Sequence, residues 1–167
     1  MGLPFTIIRS DIDQNIVFGW ACVVTDCGVP VVVPASDEQG DVLTPAELME
    51  CTTAFMQSER IAKIEHDGDQ IGEVVHSFPL TVDLAKSLGI DCAKEGWLVG
   101  VRVFDASVLK RILVGELKAF SIAFRCKPRV KRLPTYLEDV RLTELSLVHT
   151  PANNGAHLTL LKLHHPV

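Results

Sequence analysis

Apolar positions change their period several times along the 167 residues, and each change marks an element. Ile16 to Thr25 and Val29 to Val33 are dense in β-branched and apolar side chains, and Asp26-Cys27-Gly28 separates them. Two strands and a tight turn are predicted. Ser36-Asp37-Glu38-Gln39-Gly40-Asp41 is a polar loop, after which Thr44-Pro45-Ala46-Glu47 supplies a capping hydroxyl, a proline at the first helical position and an early glutamate. A helix should therefore run from about Pro45 to Ser58. Its Leu48, Cys51 or Thr52, and Phe55 share one face, while Glu47 and Glu50 should face water. From Arg60 the period becomes two, with Ala62, Ile64 and His66 on one side of a strand and Ile61, Lys63 and Glu65 on the other. His66 falls on the more apolar side.

The turn Asp67-Gly68-Asp69 leads into a strand over Gly72 to Leu80 and a short helix near Val82 to Leu88, which Gly89 closes. Gly96 to Phe104 is a strongly apolar strand, Asp105 caps a helix over Ala106 to Val114, and Gly115 ends it. Lys118 to Lys127 and Tyr136 to His149 read as two long strands. Thr150 to Gly155 is a turn, and His157 to Leu163 adds an edge strand. Strands with helices inserted, and no regular βαβ alternation, predict a β-rich α+β fold, a mostly antiparallel sheet or barrel with peripheral helices. The length fits one domain spanning 1–167, with its core at about 16–157 and loosely held ends.

Composition narrows the function classes. The net charge is -5 with 22% charged residues, so no strong positive field is available for a nucleic-acid backbone, and no nucleic-acid partner is expected. The longest apolar runs, Val29 to Pro34 and Trp97 to Val101, are too short to cross a bilayer, so no membrane partner is expected either. Met1 to Asp11 lacks the features of a secretory leader, so the protein is expected to stay in the cytoplasm where it is made. Five cysteines, without a C-x-x-C pair, argue against a disulfide framework or a structural zinc site, and no cofactor is implied.

Several residues could carry chemistry. In Ala119-Phe120-Ser121-Ile122-Ala123-Phe124, one strand face is bulky and the other holds only Ala119, Ser121 and Ala123, which leaves the Ser121 hydroxyl accessible. A plain core serine bonded to a carbonyl fits the same pattern. Glu144 shares an alternating face with Val140, Leu142, Ser146 and Val148, so its carboxylate should be partly buried and needs a partner. An ion pair and a catalytic hydrogen bond both qualify. His66 and His76 lie in strand patterns, either as core histidines or as a base, and His66, Asp67, Asp69 and His76 form a weaker alternative set for a metal. A nucleophilic serine needs a base and a group to orient that base, and Ser121, His66 and Glu144 would supply them.

These residues stand in an ordered series. It runs through Phe18-Gly19-Trp20-Ala21, Asp37 to Asp41, the capped helix to Phe55-Met56, and Ile64-Glu65-His66-Asp67. It continues with Gly72-Glu73-Val74-Val75-His76-Ser77, Gly96-Trp97-Leu98-Val99-Gly100-Val101, Gly115-Glu116 and Ala119-Phe120-Ser121-Ile122, and ends with Glu144-Leu145-Ser146-Leu147-Val148 before Pro151-Ala152-Asn153. The series resembles the prohead proteases of tailed phages, especially the phage serine proteases of the XkdF type. The resemblance implies a fold like herpesvirus assemblin, a β-barrel ringed by helices, and a serine endopeptidase that cleaves scaffold and major capsid proteins inside the assembling prohead, in the host cytoplasm. It also implies Ser121 as nucleophile, His66 as base and Glu144 as the acid. A protease fold that has lost its activity and serves as an assembly or scaffold-binding module is the rival reading. The chain departs from the family at His76, where glutamate is common, and at Ala119 and Ala123-Phe124, where glycines are usual. His76 would then support or replace His66. Arg125 and backbone amides near Ser121 are candidate oxyanion donors, and the sequence leaves homo-oligomerisation open.

Overall fold

The computed structural model describes residues 14–32, 41–127 and 135–150. Their strands are β1 (Ile16–Asp26), β2 (Val29–Pro30), β3 (Asp41–Val42), β4 (Ile61–Ile64), β5 (Asp67–Leu80), β6 (Lys94–Val103), β7 (Ala119–Arg125), β8 (Thr135–Tyr136) and β9 (Arg141–Val148). Their helices are α1 (Pro45–Gln57), α2 (Val82–Ser87) and α3 (Ala106–Leu113). Each helix begins as the capping residues dictate. Thr44 Oγ1 accepts from the Glu47 amide at 3.2 Å, Thr81 Oγ1 from that of Leu84 at 3.2 Å, and Asp105 Oδ1 from that of Ser107 at 2.8 Å.

Seven strands form one sheet in the order β2-β1-β6-β5-β4-β9-β7, and β3 pairs with β8 alongside it. Pairing in the large sheet is antiparallel except between β4 and β9, which run parallel. The sheet bends because extra residues are inserted into its strands. Trp20 pairs with Leu98 and Cys22 with Trp97, then Val23 with Gly96 and Thr25 with Glu95, so β1 carries one residue too many at each step. Such bulges increase local twist and curl a sheet. The far strand β7 returns to pack against β1 without hydrogen-bonded pairing, so the result is a mixed half-barrel and not a ring closed by hydrogen bonds. The expected antiparallel, β-rich character is present; among the described residues the closed barrel is not.

Helix α1 fills the concave side. Leu48, Cys51, Thr52 and Phe55 are buried there, and the Phe55 ring meets Trp97 edge-on with centroids 5.5 Å apart. Glu47 does not face water as its helical position predicts: its Oε1 accepts from the Val140 amide at 2.6 Å, tying α1 to the start of β9. Helix α2 covers a smaller apolar cluster of Trp20, Val23, Leu80 and Ala85.

Two boundaries differ from the sequence reading in ways that matter for the site. The turn after β4 is Glu65-His66 and not Asp67-Gly68-Asp69, because Ile64 pairs with Asp67 directly. Continuing the register of Ile61 with Glu73 and Ala62 with Gly72 would have set Ile64 opposite Gln70, so Gly68, Asp69 and Gln70 are surplus on β5. The last long strand is also interrupted, since β8 stops at Tyr136 and β9 begins only at Arg141, with Asp139 at φ 49° between them. The polar loop before Asp41, the turn at Pro151 to Gly155, the edge strand from His157 and both termini fall outside the described residues.

Candidate active site

Ser121 lies on the face of β7 that turns away from the main core. Phe120 belongs to that core, with Ile122 and Phe124 packed against it, whereas Ser121 is flanked on its own face by Ala119 and Ala123. Only 5% of the residue is exposed, so the small neighbours do not leave its hydroxyl open to solvent as the strand pattern predicts. Its cross-strand partner is Ser146 on β9, and Ala123 faces Glu144.

Glu144 reaches this face through a bulge. Ala123 pairs with Glu144 but Phe124 with Leu142, so Thr143 is an extra residue on β9. A simple alternation would have put Leu142 and Glu144 on the same side. The extra residue changes the phase instead, so that Leu142, Leu145 and Leu147 all join the core while Glu144 and Ser146 point toward Ser121 and His66.

His66 is not a strand residue. It occupies the second position of a two-residue hairpin turn in which Glu65 has φ 48° and His66 φ 58°. Paired positive φ values are the mark of the type I′ turns that suit a twisted hairpin, although asparagine and glycine are the usual occupants. Histidine tolerates the left-handed region better than most residues. Three contacts with the β9 segment hold the turn. The Glu65 amide donates to Leu147 O at 3.1 Å, the His66 amide to Ser146 Oγ at 3.0 Å, and the His149 amide to Glu65 Oε1 at 2.7 Å.

The three side chains meet in one line. Ser121 Oγ is 2.9 Å from His66 Nε2, and His66 Nδ1 is 2.7 Å from Glu144 Oε1. Chemistry assigns the protons. An ionised carboxylate can only accept, so Nδ1 carries the hydrogen; in the neutral ring Nε2 is then an acceptor, and the Ser121 hydroxyl donates to it. Glu144 also receives the Ser146 hydroxyl on Oε1 at 3.0 Å and faces Lys63 Nζ with Oε2 at 3.5 Å. Partial burial pushes the Glu144 carboxyl up. Hydrogen bonds from His66 and Ser146 and the charges of His66 and Lys63 outweigh that, and the carboxyl lies below the usual range.

The other candidates lie elsewhere. His76 sits on β5 beyond the opposite end of β4, exposed, with its ring stacked on Phe18 at 5.6 Å across Gly100. A Cβ on residue 100 would come within 2.7 Å of the Phe18 ring and 2.9 Å of His76, so glycine makes room for the stack. His76 therefore does not reach the line of Ser121, His66 and Glu144, and His66, Asp67, Asp69 and His76 do not converge on one point. Arg125 ends β7 opposite Arg141, exposed and four residues from Ser121, about 13 Å at the usual strand rise. Burial pushes the Cys22 and Cys51 thiols up to about 12, so both remain protonated and poor nucleophiles. His76→Ala is expected to leave any hydrolysis at Ser121 within about twofold of the parent and to cost at most ~1 kcal/mol of stability through the lost ring contact. Peptide hydrolysis and a thermal melt of that variant check both.

Sequence reasoning finds Ser146 only as a neighbour of Glu144 and Lys63 only as a strand position. Alternation along β9 is enough to put Ser146 on the face of Glu144, whereas Lys63 joins that face only through the parallel β4–β9 register that pairs it with Ser146. No curated protein matches the chain. The family model described as "Putative phage serine protease XkdF" matches residues 5–128, more than half of the sequence, and the chain belongs to that family.

Proposed function

We propose that this chain is a serine endopeptidase of phage capsid maturation, acting on segments of the scaffold and major capsid proteins within the assembling prohead. The observation that carries the reading is the 2.9 Å contact between Ser121 Oγ and His66 Nε2, with the far ring nitrogen 2.7 Å from a carboxylate. An inactive assembly module of the same fold has no need of a serine aligned on the acceptor nitrogen of a carboxylate-bound imidazole. The curled sheet with a helix in its concavity is compatible with an assemblin-like barrel. His66 and Ser121 lie inside the matched span of 5–128 and Glu144 outside it, so the assignment of the acid rests on geometry.

In this mechanism Ser121 Oγ bonds to the scissile carbonyl carbon while its proton passes to His66 Nε2. The imidazolium so formed is stabilised by the Glu144 carboxylate and returns the proton to the leaving amine as the C–N bond breaks. Water then releases the acyl group by the same steps. Arg125 stands too far along β7 to be the first choice of oxyanion donor, which leaves backbone amides beside Ser121 for that part. The test has two arms. A fluorophosphonate probe should modify the purified protein at Ser121, as peptide mapping would show, and co-expression with the capsid and scaffold proteins of the same phage should give shortened products. Absence of labelling at Ser121 defeats the enzyme assignment, and labelling without any shortened product defeats the substrate assignment.

A further inference from the structure

The hydroxyl of Ser146 is fully buried and touches both the acid and the main chain of the base. We propose that Ser146 is a positioning residue of the catalytic apparatus, locking the Glu144 carboxylate and the His66 turn into one hydrogen-bonded unit. The inference rests on the peptidase reading above.

Donor rules leave no freedom in this arrangement. A backbone amide can only donate, so Ser146 Oγ accepts from His66 N–H at 3.0 Å. The hydroxyl's single hydrogen must then go to Glu144 Oε1, also at 3.0 Å, because an ionised carboxylate cannot supply one. The amide in question has no partner within its own turn, since the closing pair of the hairpin is Ile64 with Asp67. Strand β9 runs parallel to β4 and serves the preceding amide through Leu147 O, and the Ser146 side chain serves the next one.

A core serine that merely satisfies an orphan amide would look similar on one side only. What separates Ser146 from that case is the shared oxygen: Glu144 Oε1 receives both His66 Nδ1–H and the Ser146 hydroxyl. A shift of the carboxylate that lengthens one bond therefore disturbs the other. Lys63 Nζ draws on Oε2 from the other side at 3.5 Å, so a carboxylate released by Ser146 would turn toward the lysine and away from the imidazole. The loss would appear in the chemical step, because His66 must be held within a fraction of an ångström of its working position.

The experiment compares Ser146→Ala and Ser146→Cys with the parent protein, using kcat and KM per active site on a capsid-derived peptide. Active sites are counted by the end-point stoichiometry of fluorophosphonate labelling, which removes any unfolded fraction from the comparison. Cysteine fills the serine's space but is a weak donor and acceptor, so it keeps the test decisive if the alanine variant folds poorly. Each variant is expected to lose about 10- to 100-fold in kcat with KM changed less than about threefold. Adding Glu144→Gln to either should cost little beyond Glu144→Gln alone, because Ser146 acts through that carboxylate. A kcat per site reduced less than tenfold, or a double variant whose losses multiply, overturns the proposal. These outcomes are distinct from failure of the peptidase reading, in which the parent protein itself neither labels at Ser121 nor cleaves the peptide.

Discussion

Ser121→Ala is expected to lower peptide cleavage by roughly four to six orders of magnitude while leaving the melting behaviour nearly unchanged. The size follows from removing the only atom able to form the acyl bond, since a triad without its nucleophile retains just the acceleration from substrate binding and polar stabilisation. The small structural effect follows from the setting. Ser121 is flanked on its face by Ala119 and Ala123, and its hydroxyl bonds to a histidine whose side chain is 36% exposed, so water can replace the lost partner. A net change of at most ~1 kcal/mol is expected for such a bond. Cleavage of a capsid-derived peptide, followed beside a thermal melt, tests both halves. A Ser121→Ala protein that cleaves at the parental rate would remove the nucleophile assignment altogether.

The base should behave as part of the same unit, but its place in the backbone governs which substitution is informative. His66 has φ 58°, where alanine is strained and asparagine is tolerated. His66→Asn therefore removes the imidazole while keeping the turn. Combined with Ser121→Ala it should be hardly slower than Ser121→Ala alone, because groups that act together in one step do not contribute independently.

What the order of residues discloses by itself is local alternation. The small-residue face of Ala119, Ser121 and Ala123, the caps at Thr44 and Asp105, and the buried stripe of α1 are all governed by neighbours a few residues away, and the periods of 2 and 3.6 expose them. The features that assemble the site are different in kind. The bulge at Thr143 shifts the phase of β9 by one residue, and nothing in Arg141-Leu142-Thr143-Glu144 announces it. The turn at Glu65-His66 lacks the asparagine or glycine that signals positive φ, so alternation carries His66 onto a strand face it does not occupy. The parallel pairing of β4 with β9 joins Lys63 to Ser146 across the length of the intervening chain, and such pairing is fixed by the closure of the whole sheet. Partnership among Ser121, His66 and Glu144 can therefore be anticipated from residue type and resemblance, whereas the role of Ser146 requires the register.

Glu144→Gln is expected to lower kcat by about 10²- to 10⁴-fold with a small change in KM, since the lost charge matters chiefly when His66 becomes an imidazolium. The amide keeps an oxygen that can accept from Nδ1–H, so the neutral ring retains a partner. It cannot offset the positive charge that appears as Ser121 gives up its proton. Its NH₂ group would also face Lys63 Nζ, which lies 3.5 Å from the present Oε2, and two donors at that spacing favour a rotated amide and a misplaced ring. Stability gives an independent readout. The folded-state pKa of Glu144 is lowered from the ordinary 4.5, so the carboxylate's contribution is fully present above that value and is lost as the pH falls through the lower, folded-state value. The parent should accordingly melt above Glu144→Gln at neutral pH, and the difference should shrink once the pH passes below 4.5. A variant that is destabilised at neutral pH but keeps its kcat per titrated site would make Glu144 half of a structural ion pair with Lys63. Catalysis would then rest on Ser121 and His66 alone.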